Sequence, residues 1–402
     1  MLKGFKYRIY PTADQAVLIN KHIGCSRFIY NWALEQRAKA WNSEKKTLNR
    51  FKINNLITSL KKNDEYSWLR EVNSQTLQGA SDDLDKAFNS FFQKKNKYPT
   101  FKSKHCSKQS FRVPQHAVVD QDNGLLHLPK FSEPIKIVIS RRFNGHILNV
   151  TISRTPTGKY YASVLVDTGV PAKPCKKINV KTAIGLDLGI KDFVAASDGR
   201  KFSNPKALYK HERKLKKLQH KASRKVKGSN NRHKANLRTA KVYEKISNIR
   251  NDFQHKLSYQ LTHENQVGTI AIEDLSVSNM LKNHKLARAI SDCGWSSFVN
   301  KLTYKCEWYG INLITIGRFE PSSKLCSHCG AINHDLKLSD REWTCTSCNT
   351  HHDRDVNAAK NIKSFGLNPK QSKIRSERSK LTLGESRRSN ATHLTQESPT
   401  LR

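Results

Sequence analysis

The chain has 402 residues, 72 of them Lys or Arg and 33 Asp or Glu, for a formal net charge of +39. That length suits two or three domains at about 150 residues each, and 37% hydrophobic content supplies real cores, which excludes wholesale disorder. Such a charge self-repels unless a polyanion neutralises it, nucleic acid being the usual one, and with a mean hydropathy of −0.69 and no apolar run near ~18 residues a membrane span is excluded.

The opening stretch is basic and alternating, without the apolar core of a signal peptide. Phe5, Tyr7 and Ile9 alternate with Lys6 and Arg8, predicting a half-buried strand closed by Pro11. Thr12 is the expected N-cap of a helix whose apolar face runs through Val17, Leu18, Ile23, Phe28 and Trp32. A further helix is predicted over 77–92, with Leu84, Phe88, Phe91 and Phe92 packing as one stripe. Beyond Pro99 the period changes from helical to alternating. Strands are expected at 135–139, 146–152 and 160–166, the last two joined by a Thr-Pro-Thr-Gly turn at 155–158. Residues 2–10 and about 97–168 thus read as one antiparallel unit interrupted by a helical insertion. A Pro- and Lys-rich linker, 170–177, marks a boundary. After it strands near 183–196, 267–273 and 311–317 alternate with long helices, the order of an α/β sheet. From about Pro369 the apolar periodicity is lost, which predicts a disordered basic tail.

Three acids stand where packing does not call for them. Asp187 lies in Ala183-Ile-Gly-Leu-Asp-Leu-Gly189, flanked by apolar residues in a strand expected to be buried, and a bare carboxylate there costs several kcal/mol. Glu273 ends the apolar run 268–272, and Asp355 falls in the expected first turn of a helix. A strand-end acid is commonly a salt-bridge partner, and Asp355 alone could serve the helix dipole. Together they predict two divalent ions: Mg²⁺ prefers carboxylate oxygen, and a pair about 3.5–4 Å apart supports phosphodiester hydrolysis. Asp192, Asp274 and Asp353 are neighbouring alternatives that spacing does not separate.

Of nine cysteines, four form Cys326-x-x-Cys329 and Cys345-x-x-Cys348, fifteen residues apart. That spacing predicts one structural Zn²⁺ with no open coordination position, in a reducing compartment. His328, His334, His351 and His352 lie near enough in sequence to replace one thiolate. Between Lys206 and Arg250 only Glu212 and Glu244 oppose a dense run of cations, split by Gly228-Ser-Asn-Asn231 into two expected helices. Helical pairing cannot absorb so one-signed a run, so contact with a nucleic-acid backbone is expected, at positions such as Lys217 and Arg224.

The runs GLDLGIKDF with SDG, IAIEDL, and PSSKLCSHCG…CTSC…HDRDVNAAKNI resemble the TnpB family, RNA-guided nucleases of small bacterial insertion sequences related to type V CRISPR effectors. KYRIYPTADQ…GCSRFIYNWAL and YPTFKSK resemble the same family's N-terminal half, so the likeness covers about residues 1–367. It implies a multidomain α/β chain: a wedge-type β-barrel (1–11 and 97–169) interrupted by a helical recognition region (12–96), a linker (170–178), a RuvC-like nuclease domain of RNase H fold (179–320 and 351–368), a zinc-ribbon-like target-binding insertion (321–350) and a basic tail (369–402). The resemblance places the catalytic, Mg²⁺-binding acids at Asp187, Glu273 and Asp355, a lid over 274–289, and Zn²⁺ on Cys326, Cys329, Cys345 and Cys348. It further implies a guide RNA from the element's own end, double-stranded target DNA beside a short flanking motif, a separate transposase of the same element, and a bacterial cytoplasmic setting on the nucleoid. Ser74, Gln75, Gln78, Lys102 and Arg112 are the implied contacts to flanking DNA. All three acids and four cysteines are intact, which favours a cutting enzyme over a silent RNA-guided regulator; a transposase performing strand transfer could use the same acids.

Overall fold

The structure, a computed structural model, describes residues 1–105, 109–264, 267–318, 320–337, 339–368 and 372–374. The chain divides into two compact units, Met1–Pro171 and Ala172–Arg402.

In the first unit, β1 (Leu2–Tyr10) leads into α1 (Ala13–Glu44), α2 (Arg50–Leu60), a 3-10 stretch (Asp64–Glu71) and α3 (Ser74–Phe92). Six strands follow: β2 (Gln109–Val113), β3 (Val118–Asp120), β4 (Leu125–His127), β5 (Ile135–Val138), β6 (His146–Arg154) and β7 (Tyr160–Asp167). All seven join one antiparallel sheet in the order β2-β6-β7-β1-β5-β4-β3. β1 is therefore central, paired on both edges with strands more than a hundred residues later, and the helices loop out between. Alternation does the rest: Tyr7 and Ile9 face the core with Phe111, Ile135, Ile152 and Val164.

Thr12 caps α1 in a reciprocal capping box with Gln15. The buried face of α1 follows the expected one except at Val17, with Ile23 buried and Phe28 and Trp32 half-buried against a core. Val17 is 55% exposed, while Ile19 and Ile23 join the sheet core and Ile29, Ala33 and Leu34 join a second core with α2 and α3. One 32-residue helix serves two cores, so its apolar face wraps and no single stripe describes it. The aromatic stripe of α3 is also shorter than expected. Leu84 and Phe88 are buried, but Phe92 is 68% exposed and stacks on Phe88 at the helix end.

In the second unit, β8 (Ala183–Asp187), β9 (Asp192–Ala196) and β10 (Lys201–Ser203) form a meander whose second turn uses Gly199 at φ +91°. The basic run folds as α4 (Ala207–Ser223) and α5 (Asn230–Tyr259), separated at Gly228. Then come β11 (Thr269–Glu273), α6 (Val277–Met280), α7 (Ala287–Cys293), α8 (Trp295–Tyr309) and β12 (Asn312–Ile316). A short hairpin, β13 (Glu342–Thr344) with β14 (His351–Asp353), precedes α9 (Arg354–Leu367). The sheet order is β10-β9-β8-β11-β12, extended by β15 (Ser372–Ile374) antiparallel to β12. β8, β11 and β12 run parallel and are buried nearly throughout. The strand at 372–374 departs from the expectation of a wholly irregular tail, because the edge of β12 offers it a backbone ladder. The rest of 369–402 lies outside the described residues.

Candidate active site and metal centre

β8 and β11 pair in parallel with Leu186 opposite Ile272. Their next residues, Asp187 and Glu273, therefore stand side by side at the carboxyl ends of adjacent strands, where an α/β sheet opens to solvent. Asp355 approaches from the first turn of α9. Burial, then Glu273 and then Asp355, push the Asp187 carboxyl up to about 7, against the opposing influence of Arg354. Glu273 is raised by burial as well, although the Ser322 hydroxyl donates to its Oε1 at 2.5 Å. The structure thus brings Asp187, Glu273 and Asp355 into one cluster, and Asp187 responds to both partners.

Two glycines explain how α9 comes so close. A Cβ on Gly185 would lie 2.1 Å from the Ala359 carbonyl oxygen, and one on Gly366 2.6 Å from the Ala271 Cβ. The helix backbone lies directly on β8, with Ala358 and Ala359 buried along the seam. Asp355 sits one helical turn before that contact, so the seam sets its depth.

Two of the three neighbouring acids, Asp353 and Asp274, are occupied elsewhere. Asp353 is the N-cap of α9, its Oδ1 accepting from the N–H groups of Asp355 and Val356, while Oδ2 pairs with Lys201 at 2.5 Å. Burial opposes its charge, but these bonds prevail and hold it below the usual carboxylate range. Asp274 pairs with Arg318 at 2.9 Å. Asp355 has weaker company, with Arg341 at 3.7 Å and Arg354 at 3.4 Å, both beyond a charge-assisted hydrogen bond. The three carboxylates, two of them raised by burial, offer the oxygen donors that Mg²⁺ prefers, although among the described residues only the four cysteines bring their ligand atoms all within 4.8 Å of one another.

The four cysteines also converge. Their Sγ atoms all lie within 4.8 Å of one another, with Cys326 to Cys348 at 3.8 Å and Cys329 to Cys345 at 3.6 Å. A tetrahedron with zinc–sulfur bonds near 2.3 Å has edges of about 3.8 Å. Thr350 holds the Cys348 thiol down at about 6, while contacts with the other cysteines push Cys329 up to about 12 against the Ala331 N–H. His352 does not join the four. It is buried against Trp343, and its Nε2 lies 3.0 Å from the Cys326 Sγ, as an outer hydrogen-bond partner would.

Sequence reasoning missed Ser322, Asn357 and Asn361. The signal was present as two asparagines one turn apart on a helix that begins with an acid. Asn357 and Asn361 are 1% and 3% exposed, which is uncommon for asparagine. Both side-chain amides donate to the Leu325 carbonyl, Asn361 donates also to the Ser322 carbonyl, and Asn357 Oδ1 accepts from the Ser327 N–H. α9 is thereby bolted to the loop that carries the first cysteine pair.

The expected nucleic-acid contacts are placed less uniformly. Ser74 and Gln78 are exposed on α3. Gln75 is bonded to Gln115. The ammonium of Lys102 lies 3.7 Å from the centroid of the Tyr30 ring, and its backbone is held by Asn31. Arg112 turns inward to the Gly79 carbonyl, Asp82 and Asp83. Lys217 and Arg224 are exposed on α4 and its C-cap. No helix among the described residues is long and apolar enough to cross a membrane.

Residues 163–284 match the OrfB/IS605 family, described as "Probable transposase", and residues 295–362 match "Cas12f1-like, TNB domain". Residues 1–46 match a "Helix-turn-helix domain", although here they form one strand and one long helix. A "Putative RNA-guided DNA endonuclease" of Streptomyces pristinaespiralis is 44% identical over 367 residues, spanning 91% of this chain and 89% of that protein. InsQ of Escherichia coli K12, which carries the same description, is 31% identical over 382 residues, spanning 91% and 92%. Among solved structures, Cas12f1 in its complex with sgRNA and target DNA covers 90% of this chain and 84% of its own, with a TM-score of 0.54 and 18% identity. At that identity the likeness is one of fold.

Proposed function

This chain belongs to the TnpB family, and on that premise we propose that it is an RNA-guided, Mg²⁺-dependent DNA endonuclease of a transposable element. The carrying observation is the burial of Asp187 with Glu273 and Asp355 around it. A fold that only bound nucleic acid would have little reason to set three carboxylates beside one another, two of them raised by burial. The strand order β10-β9-β8-β11-β12, three antiparallel strands followed by two parallel ones, supports a RuvC-like, RNase H-type reading of 179–320 and 351–368. Residues 321–350 then form the zinc-binding insertion, and the seven-stranded sheet the wedge domain.

Asp187, Glu273 and Asp355 would hold two Mg²⁺ ions, which when bound activate water and stabilise the leaving oxygen of the cut phosphodiester. The chain's own part is to keep the site rigid and negatively charged. Gly185 and Gly366 seat α9, Asp353 and Lys201 neutralise each other beside the triad, and the four cysteines on zinc hold the adjoining loop. The exposed cations of α4 and α5 would contact nucleic-acid backbone, leaving sequence to guide pairing. The guide RNA, the flanked target duplex and a separate transposase of the same element complete the proposal.

The test is cleavage of guide-matched, flanked DNA by the purified protein–RNA complex in Mg²⁺, scored beside target binding. Cutting that requires the guide and is lost in Asp187→Asn, with binding retained, is the expected result. Wild-type complex that binds and never cuts would make the protein a guided regulator instead.

A further inference from the structure

We propose that Ser322 is a positioning residue for Glu273, fixing the carboxylate from the entrance of the zinc loop while Asn361 fixes Ser322 from α9. The inference rests on Glu273 being a metal-binding acid of the site.

Ser322 is 6% exposed, and its hydroxyl donates to Glu273 Oε1 at 2.5 Å, within the range of a short bond to a charged acceptor. Its backbone has little freedom. The Ser322 N–H bonds the Glu320 carbonyl at 2.7 Å, closing a three-residue turn. The Ser322 carbonyl accepts from Asn361 Nδ2 at 2.8 Å, and the same nitrogen reaches the Leu325 carbonyl at 2.6 Å. With both backbone groups held, the Ser322 Cβ has a fixed place, and the bond from its hydroxyl sets the Glu273 oxygen relative to that place. Oε2 is left for a cation. Asn361 lies on the helix that carries Asp355, so one amide fixes the support of one acid from the element that delivers another. If Ser322 were only a satisfied buried hydroxyl, removing it would cost a little stability and leave metal binding alone.

Outer hydrogen-bond partners of metal-binding carboxylates typically contribute about 10–100-fold in metal affinity. The experiment compares protein–RNA complexes of wild type, Ser322→Ala, Ser322→Thr and Glu273→Gln, all carrying the same RNA. Mn²⁺ binding is followed by electron paramagnetic resonance, with zinc content and target binding as checks of folding. Ser322→Ala is expected to weaken Mn²⁺ binding about 10–100-fold while keeping one zinc per chain and target binding, and Ser322→Thr to restore it by returning the hydroxyl. Wild-type Mn²⁺ affinity in Ser322→Ala, beside a clear loss in Glu273→Gln, would overturn the positioning role and leave the acid's role standing. Wild-type affinity in Glu273→Gln would remove the ligand role of Glu273, and the positioning role with it.

Discussion

The carboxylate cluster and the cysteine cluster both offer donors that a cation would complete, yet the chain builds them in opposite ways. The cysteines come from two short loops within 23 residues, Cys326 to Cys348, and each pair is delivered by local turn geometry. The acids lie on β8, β11 and α9, at 187, 273 and 355, and only the completed sheet and the helix seam bring them together. If the cysteines hold zinc as proposed, the ion would add to the folding energy of the loop, so metal and stability would point the same way there. The acid site is assembled by hydrophobic packing that holds Asp187 and Glu273 where burial disfavours their charge, so function and stability oppose each other.

The largest effect that separates the two is Asp187→Asn. Cleavage should be abolished, because the substitution keeps the shape and removes a charge the ions require, while guide and target binding persist. The same change should stabilise the metal-free protein. Asp187 titrates near 7 when folded, against an ordinary 3.8. The folded state therefore binds the extra proton between those values, and wild-type stability falls as pH rises from about 4 through 7. Relative to wild type, Asp187→Asn should be more stable by a few kcal/mol above pH 7 and gain nothing near pH 4. Denaturant melts in EDTA at the two pH values check this; equal gains at both would show that desolvation of the charge is not the cause.

Cys345→Ser should behave in the reverse sense. Zinc content falls, the second unit loses thermal stability, and cleavage falls with it, since Asn357 and Asn361 transmit disorder of the loop to α9. Elemental analysis with a thermal melt measures both. Full zinc-free stability would mean that the cysteines are not a folding element.

The same contrast governs what could be read from sequence. The cysteine spacing announced its geometry because a loop closing on a metal is a local event. Asp187 and Glu273 were visible as charges at apolar runs and Asp355 as an acid in a helix first turn, and their joint action was expected. The close seam that seats the helix was not, because it depends on the room left at Gly185 and Gly366, where a Cβ would lie 2.1 Å and 2.6 Å from its neighbours. Val17 was misplaced on the face of α1 for a related reason. The apolar residues of that helix serve two cores, and periodicity reports one face at a time. Strands and hairpins were legible where alternation and turn residues agreed, as at β1, β6–β7 and β9–β10. The inward turn of Arg112 was not, since its partners Asp82 and Asp83 sit on a distant helix.

An intermediate effect tests the seam alone. Gly185→Ala places a methyl group against the α9 backbone, so the helix must shift or the strand must strain, at about 1–3 kcal/mol. Cleavage should fall further than that loss of stability explains, because Asp355 moves with the helix. Gly4→Ala, whose Cβ would meet nothing within 4 Å, is the matched control on β1 and should change stability by less than about 0.5 kcal/mol. Equal behaviour of the two variants in melting and cutting would deny the seam its part in the site.

The smallest effect lies two residues from one of the largest. Asp353 and Asp355 share a helical turn, but Asp353 spends Oδ1 on two backbone N–H groups and Oδ2 on Lys201, whereas Asp355 has no bond shorter than 3.4 Å to its arginines. Asparagine caps a helix about as well as aspartate, so Asp353→Asn keeps the cap and loses only the ion pair. That pair is about one-third exposed on both sides and is discounted accordingly, to roughly 1 kcal/mol or less. Asp353→Ala removes the cap too and should cost about 1 kcal/mol more. Cleavage should therefore descend from wild type through Asp353→Asn and Asp353→Ala to Asp355→Asn, with the first near wild type and the last abolished. Cleavage rates of the three complexes at one saturating Mg²⁺ concentration, with melts alongside, give the order. A dead Asp353→Asn beside an active Asp355→Asn would exchange their roles, and the cap, not the acid two residues after it, would face the ions.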